Sequence, residues 1–184
     1  MVTDILLIFV FIVIGGVFAS AEMALVSLRE SQIRRIASRG KRGATVAKLA
    51  GNPNTFLSAV QIGVTLSGFL SASFGGATIA AWFGEFLAAR DVPGAQTLSL
   101  VLVTIVISYF SIVFSELTAK RLAMQRAEGF ALALAPMVNG IATVLKPVIW
   151  FLGLSTNIVV RVLGGDPEAS REEVTDEEIR SMVS

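Results

Sequence analysis

The sequence predicts an all-α integral membrane protein, with three transmembrane helices plus juxtamembrane amphipathic helices. Of the 184 residues, 54% are hydrophobic and only 16% are charged, whereas a soluble domain carries about 25% charged residues. The mean hydropathy is +0.74. Several uncharged stretches also reach the roughly 20 residues that a membrane-spanning helix needs. A soluble globular domain does not accommodate stretches of this kind.

Three apolar stretches qualify as spans. The first covers about 4–28, and Glu22 is the only charge in its apolar core. The second covers about 55–84 without any charged residue, and the third, about 92–118, has none before Glu116. The first stretch lacks the basic start and the small-residue cleavage site of a signal peptide, so we interpret it as a retained helix.

Two further stretches are predicted to be juxtamembrane helices, about 31–51 and about 128–163. The second is apolar over much of its length, but Lys146-Pro147 divides it into pieces that are short for a span, because proline disrupts helix interiors. We therefore favour amphipathic helices in or near the membrane interface. A fourth span within 128–163 is the alternative.

The composition changes abruptly near residue 166. Residues 1–165 form the predicted transmembrane module, and 166–184 are rich in Asp and Glu, as expected for the start of an acidic cytoplasmic linker. Thr175 and Glu178 have the spacing of a helix-capping box. A helix confined to about ten residues is marginal, so we expect a cytoplasmic domain to follow in the natural protein.

Basic residues predict the orientation. Between the first two spans they far outnumber the single acid, Glu30. These residues are Arg29, Arg34, Arg35, Arg39, Lys41, Arg42 and Lys48. The positive-inside rule places 29–54 and 120–126 in the cytoplasm. We therefore expect a protein of the cell inner (plasma) membrane, with the N-terminus and the 85–97 loop outside and the C-terminus in the cytoplasm.

Composition also excludes several functions. The chain has no histidine and no cysteine, so disulfides and histidine- or thiolate-bound zinc or copper sites are not available. Without these residues, or a phosphate-binding G-x-x-x-x-G-K-[ST] loop, we do not expect an enzyme. The net charge of +1 argues against a nucleic-acid partner. We expect membrane lipids as partners and no covalently bound cofactor.

Two carboxylates, Glu22 and Glu116, fall inside or at the edge of predicted spans. An ionised side chain in hydrocarbon costs roughly 2.5–3.5 kcal/mol and has to be paired or face a cavity. One interpretation of Glu116 is an interfacial pair with Lys120 at i,i+4 spacing. Glu22 can equally extend to the interface or pair with a basic loop residue. The other interpretation is a polar pathway.

The second span combines polar and small residues. Ser58, Gln61 and Thr65 share one helical face, among the small residues Gly63, Ser67, Gly68 and Ser71. Small-residue packing with interhelical hydrogen bonds explains this pattern. A path for a hard cation explains it equally, because Mg²⁺ takes oxygen ligands. Further oxygens come from Ser20 in the first span and from Ser108, Tyr109, Ser111 and Ser115 in the third.

Four motifs, in this order, resemble the transmembrane module of the CorC/CNNM family, in its bacterial, hemolysin-like branch. Segment 18–25, F-A-S-A-E-M-A-L, is similar to the first-helix signature F-S-G-S-E-x-A-L. Segment 61–66, Q-I-G-V-T-L, is similar to the second-helix signature. Segment 115–123, S-E-L-T-A-K-R-L-A, resembles G-E-x-x-P-K-x-x-A. Segment 174–179, V-T-D-E-E-I, resembles the linker to paired cytoplasmic CBS domains.

This resemblance implies a homodimeric divalent-cation (Mg²⁺) transporter, with efflux coupled to Na⁺ and with CBS domains in the full-length chain. Mg²⁺, and Na⁺ as its counter-ion, would be transported ions rather than resident cofactors. The implied metal-site residues are Ser20, Gln61, Thr65, Ser115 and Glu116. Additional pathway residues would be Glu22, Ser67, Tyr109 and Ser111.

Departures from the family pattern leave the substrate open. Ser115 stands where the family has glycine, Ala119 where it has proline, and Gln61 and Thr65 where magnesium-transporting members usually have asparagine. Polyamine export has been proposed within the hemolysin-like branch, and carboxylates with an aromatic ring such as Tyr109 suit an organic cation. The remaining alternative is a non-transporting membrane anchor for a cytoplasmic sensor domain.

Overall fold

The computed structural model describes residues 1–166, which form helices joined by short turns and contain no strand. The predicted all-α class is therefore confirmed. The helices are α1 (Val2–Ser27), α2 (Glu30–Ala37), α3 (Gly40–Ala50), α4 (Pro53–Ala88), α5 (Ala95–Gln125), α6 (Ala127–Val144) and α7 (Lys146–Val162). The acidic linker predicted beyond Asp166, with its Thr175–Glu178 capping box, lies outside the described residues.

Two compact units divide the chain. Residues Met1–Thr143 form the first unit, which contains α1 to α5 and nearly all of α6. The second unit begins at Val144 and contains α7. In α7, Lys146 is the first residue and Pro147 lies in the first turn, where a missing backbone N–H costs nothing.

Helix α1 is the central element of the first unit and packs on both α4 and α5. Small residues on its buried face allow this close approach. A Cβ atom added to Gly16 would lie 3.4 Å from the Ser115 Cα atom of α5. Close backbone approach over small residues is the usual way in which membrane helices associate, because lipid provides no hydrophobic drive for packing.

Helices α4 and α5 each contain a π-helical segment, Gly75–Ala80 in α4 and Ser111–Thr118 in α5. At 36 residues, α4 is about 54 Å long, well above the roughly 30 Å of a bilayer core. Helix α4 continues without a break through its π-helical segment, whose turn is wider than that of an α-helix. A π-helical turn displaces the regular carbonyl pairing, and the buried Ser99 hydroxyl of α5 donates to the Ala80 carbonyl at the end of that segment.

A cluster of buried apolar side chains joins the basic ends of α1 to α6, and we call it the basic-end core. Its members are Ala21, Ala24, Leu25, Leu28, Ile36, Val46, Leu49, Phe56, Val60, Ala123, Ala131, Ala135 and Val138. Ile36 of α2 and Val46 of α3 have no exposed surface. On the rim of this core, Arg35 of α2 forms an ion pair with Glu128 of α6.

Residues 1–166 contain one more candidate span than the three predicted. Four helices, α1, α4, α5 and α6, are long and apolar enough to cross a membrane by length and composition. The apolar stretch does break at Lys146-Pro147, but α6 begins at Ala127 and continues through Pro136, so it reaches 18 residues. The first turn of α6 is supported by Glu128, which binds Gln32 and Arg35 of α2. The hydrophobic pattern of the sequence does not show contacts of this kind between separate helices.

Candidate functional site: a hydroxyl-lined cavity between three helices

A small cavity of about 50 Å³ lies between α1, α4 and α5. Its oxygen-bearing side chains are Ser67, Ser71, Ser111, Ser115 and Glu116. The remaining lining residues, Phe11, Ile12, Gly15, Val64 and Gly68, are apolar or glycine. Four of the predicted site residues, Ser67, Ser111, Ser115 and Glu116, are therefore brought together around one space, within the apolar part of the helices.

Ser115 connects two walls of the cavity. It is 5% exposed, and its hydroxyl donates to the Ile12 carbonyl of α1. The hydroxyl oxygen keeps its lone pairs, because donating a hydrogen bond uses only the proton. A Cβ atom on Gly15 would come 3.5 Å from this oxygen. The small residues of α1 thus allow the Ser115 oxygen to lie at the cavity wall.

Ser20 is buried near α5 but does not line this cavity. Its hydroxyl donates to the Gly16 carbonyl at 2.7 Å and lies 3.4 Å from the Ala119 carbonyl, just after the π-helical segment of α5. Hydroxyl-to-carbonyl bonding four residues back is common for serine in helices. Ser20 is therefore placed at the α1–α5 contact, closer along α1 to the basic end than Ile12 and Gly15.

The other predicted residues are not part of the cavity lining. Gln61 and Thr65 are exposed on α4, and the Gln61 Nε2 atom donates to the Thr65 Oγ1 atom at 3.1 Å. Glu22 is half-buried on α1. Tyr109 is 63% exposed on α5 and contacts the ring of Phe110 edge-on. These four residues lie on the surface of a single copy of the chain.

Glu116, which is exposed on α5, supplies the only carboxylate of the cavity. Within residues 1–166 it forms no ion pair with Lys120, although the two residues are one helical turn apart. No group of three or more His, Cys, Asp or Glu side chains that could hold a metal ion occurs in the described part of the chain. A cation in the cavity would therefore be held by one carboxylate together with hydroxyl and carbonyl oxygens. Such a ligand set suits hard cations.

A second cavity of about 220 Å³ lies between α4 and α5. It is lined by Gly68, Ser71, Ala72, Thr104, Ile107, Ser108, Ser111 and Ile112. Gly68, Ser71 and Ser111 also line the first cavity, so the two spaces adjoin. Sequence reasoning grouped Ser71 with the small packing residues. The signal that marks it is the i,i+4 spacing of Ser67 and Ser71 on one helical face.

The sequence matches the Cyclin M transmembrane N-terminal domain over residues 6–184. The chain belongs to this family. Membership agrees with the resemblance of the helix motifs described above, and it places the protein among membrane proteins associated with transport.

Curated relatives of this cyclin M domain include three informative sequences. The UPF0053 protein sll0260 of Synechocystis is 42% identical over 98% of the chain, and the UPF0053 protein YrkA of Bacillus subtilis is 31% identical over 94%. The polyamine export protein of Haemophilus influenzae is 29% identical over 86% of the chain. The chain spans only 41%, 41% and 37% of the lengths of these relatives.

This cyclin M domain also has a larger polar cavity, of about 580 Å³, at the basic end. It lies where the α1–α2 and α5–α6 connections meet, and its charged lining residues are Arg29, Arg35, Arg126 and Glu128. None of the predicted site residues lines it. A predominantly basic lining repels cations, so the hydroxyl-lined cavities are the better candidates for a cation site.

Proposed function

We propose that this protein exports a divalent cation, with Mg²⁺ as the substrate and Na⁺ as the counter-ion. The observation that supports this proposal is the cavity of about 50 Å³ between three helices, with four hydroxyls and one carboxylate in its wall. Family membership supports transport in general. The choice of a small inorganic cation follows from the size and the oxygen content of the cavity.

The size of the cavity favours a bare ion. A cavity needs roughly 10–15 Å³ of accessible volume to hold one water, so about 50 Å³ holds only a few waters. A hydrated Mg²⁺ does not fit, and a cation in this space has to exchange most of its water for protein oxygens. Glu116 supplies charge, and Ser115 offers a lone pair while its proton bonds to Ile12. Mg²⁺ accepts such oxygen ligands, although it loses its waters reluctantly.

The other predicted residues form an approach to this cavity. In the proposed orientation the basic end faces the cytoplasm and the N-terminus faces outward. Gln61 and Thr65 then precede Ser67 on the cytoplasmic side of α4, and Ser20 lies on the cytoplasmic side of Gly15 in α1. We assign these three residues to successive positions of an ion that approaches from the cytoplasm, with Glu22 at the entrance.

A homodimer is part of the proposal. Gln61, Thr65 and Tyr109 are exposed on one copy of the chain, and polar groups of membrane proteins usually face the protein interior or a water-filled cavity. A second copy would cover them. CBS domains in the full-length protein would regulate transport. The membrane module itself would carry out transport without enzymatic chemistry and without a covalently bound cofactor.

The full-length protein reconstituted in liposomes tests the proposal. A Na⁺ gradient should drive Mg²⁺ flux above that of empty liposomes. Glu116→Gln should lower the rate at least about tenfold, since it removes the only charge in the cavity wall, and 1.4 kcal/mol of lost stabilisation already gives that factor. The matched control, Glu85→Gln in the last turns of α4 and outside the cavity, should retain the wild-type rate.

The second candidate function is polyamine export, which the relative from Haemophilus influenzae carries in its name. A polyamine has a carbon chain several atoms long and needs more space than the first cavity offers. We expect excess putrescine to leave Mg²⁺ flux unchanged. If the wild-type protein transports putrescine and Glu116→Gln does not, the substrate is a polyamine rather than Mg²⁺. If the protein transports neither Mg²⁺ nor putrescine, the remaining candidate is a non-transporting membrane anchor for a cytoplasmic sensor domain.

A further inference from the structure

Ser71 is the unusual residue of the α4–α5 contact. Its side chain is 2% exposed, and within residues 1–166 it is the only buried side-chain oxygen or nitrogen that has no hydrogen-bond partner. Of the other four buried serines in that range, Ser20, Ser99 and Ser115 each donate to a backbone carbonyl, whereas Ser67 does not. An unpaired buried hydroxyl is costly in a low-dielectric setting. It therefore indicates a partner that is not part of the protein.

The position of Ser71 indicates what this partner is. Its hydroxyl lies where the first cavity adjoins the second, since Ser71 lines both. Beyond it, the second cavity carries three further hydroxyls, those of Thr104, Ser108 and Ser111. Its volume of about 220 Å³, against about 50 Å³ for the first cavity, leaves room for a group of waters. Thr104 and Ser108 are exposed in a single copy of the chain, and the four hydroxyls of this space supply the polar partners that bound waters require.

The second cavity lies on the outward side of Glu116, whereas the proposed approach from the cytoplasm lies on its other side. Helix α4 continues from Ser67 past Ser71 towards the outer end, and α5 leads from Thr104 and Ser108 to Ser111 and Ser115. Thr104 precedes Glu116 by twelve positions in the sequence, or about 18 Å along a helix. The second cavity thus extends from the carboxylate towards the end of the bundle that carries the 85–97 loop.

We infer that the second cavity is the outward, hydrated half of the ion pathway, and that Ser71 transfers the cation between the dehydrated and the hydrated half. This inference rests on the proposed function. An ion that leaves Glu116 exchanges protein oxygens for water. At the boundary between the two cavities it has neither its full set of protein ligands nor its full hydration shell, and the Ser71 hydroxyl supplies an oxygen there. Hydroxyls suit this step because they bind cations weakly enough to release them.

Cysteine labelling tests the inference independently of transport. The chain has no cysteine, so single cysteines can be introduced into the full-length protein after replacement of any cysteine outside this chain. The probe is a membrane-impermeant, positively charged methanethiosulfonate reagent. Added outside, it should modify Ser108→Cys and Ser71→Cys at least about tenfold faster than Val106→Cys. Val106 is a matched control, because it is 53% exposed on α5, the helix that carries Ser108, and lines neither cavity.

Transport measurements complete the test. Ser71→Ala should reduce Mg²⁺ flux several-fold, whereas Ser73→Ala, an exposed serine of α4 outside both cavities, should not. Modification of Ser71→Cys no faster than Val106→Cys, or modification only from the cytoplasmic side, would overturn the outward pathway. So would wild-type flux in Ser71→Ala. Failure of the proposed function would appear differently, as outward labelling of Ser71→Cys without Mg²⁺ flux in the wild-type protein.

Discussion

Buried serines of the first unit act as links between helices. Ser115 of α5 donates to the Ile12 carbonyl of α1, and Ser99 of α5 donates to the Ala80 carbonyl of α4. In hydrocarbon each polar group needs a partner within the protein. These bonds hold α5 against α1 and α4 at points where π-helical segments widen the helix. Each hydroxyl therefore serves packing, and its lone pairs remain available for a ligand.

Ser115→Ala should destabilise the protein by about 1 kcal/mol, the net value of one hydrogen bond. The Ile12 carbonyl lies inside α1 and keeps its regular helical donor, so no unsatisfied group remains. Thermal unfolding in detergent should show a Tm lower by about 2–4 °C. Ser155→Ala is the control, because the Ser155 hydroxyl donates only within α7. Equal Tm values for the two variants would contradict the role of Ser115 as an interhelical link.

The sequence motifs predict some of the residues that line the first cavity. Ser115 and Glu116 were predicted from the third-helix signature, and both line the first cavity. Gln61 and Thr65 were predicted from the second, yet in one copy of the chain they bond to each other on the surface of α4. Ser71 was not assigned to the site, because an unpaired hydroxyl is recognisable only when every neighbouring donor and acceptor has been located.

The hairpin of α2 and α3 depends on one glycine. A Cβ atom at Gly43 of α3 would lie 1.8 Å from the Ile36 carbonyl oxygen of α2. Backbone atoms cannot move aside as the end of a flexible side chain can. The hairpin carries Ile36 and Val46 into the basic-end core, so a displacement of α3 would reach the contacts of α1 and α4 as well.

Gly43→Ala should therefore cost about 1–3 kcal/mol, as overpacking does, or prevent folding. Gly129→Ala in α6 is the matched control, because a Cβ atom there meets no atom within 4 Å and alanine favours helix. Unfolding in detergent followed by circular dichroism measures both variants. A Gly43→Ala protein as stable as Gly129→Ala would show that α2 and α3 do not approach as closely as described.

Some features of the helices follow from the sequence pattern and others do not. The break between α6 and α7 follows from Lys146-Pro147, a local signal. The start of α6 at Ala127 lies one residue from the predicted start near 128, and Glu128 there binds Gln32 and Arg35 of α2. The π-helical segments of α4 and α5, by contrast, have no reliable local signal in the sequence. The sequence thus predicts the bounds of α6 and not the π-helical segments.

For the whole molecule, charge asymmetry predicts the orientation. Lys41→Cys, in the basic α3, should react with an impermeant thiol reagent only from the cytoplasmic side of oriented membranes. Ala89→Cys, at the opposite end of α4, should react only from outside. The absence of other cysteines in the chain makes each label specific. Reaction of the two cysteines from the same side, or in the reverse pattern, would contradict the positive-inside assignment.

The fold class and the family of the whole molecule were predictable because hydrophobicity and motif order are properties of the sequence itself. The cavities were not, because they depend on how closely α1 approaches α4 and α5. Gly15 and Gly16 indicate that an approach is possible, but the atoms opposite them, such as the Ser115 Cα atom, are known only from the folded chain.

The central claim is that a cation loses its water between α1, α4 and α5, next to Glu116. Mn²⁺ takes similar oxygen ligands and scatters anomalously, so diffraction from crystals of the full-length protein grown with Mn²⁺ locates the ion directly. We predict an anomalous peak within about 2.3 Å of a Glu116 carboxylate oxygen, close to typical ligand distances for small divalent cations. The same experiment on Glu116→Gln should lose the peak. Mn²⁺ found only on surface carboxylates, with the cavity empty, would contradict the claim.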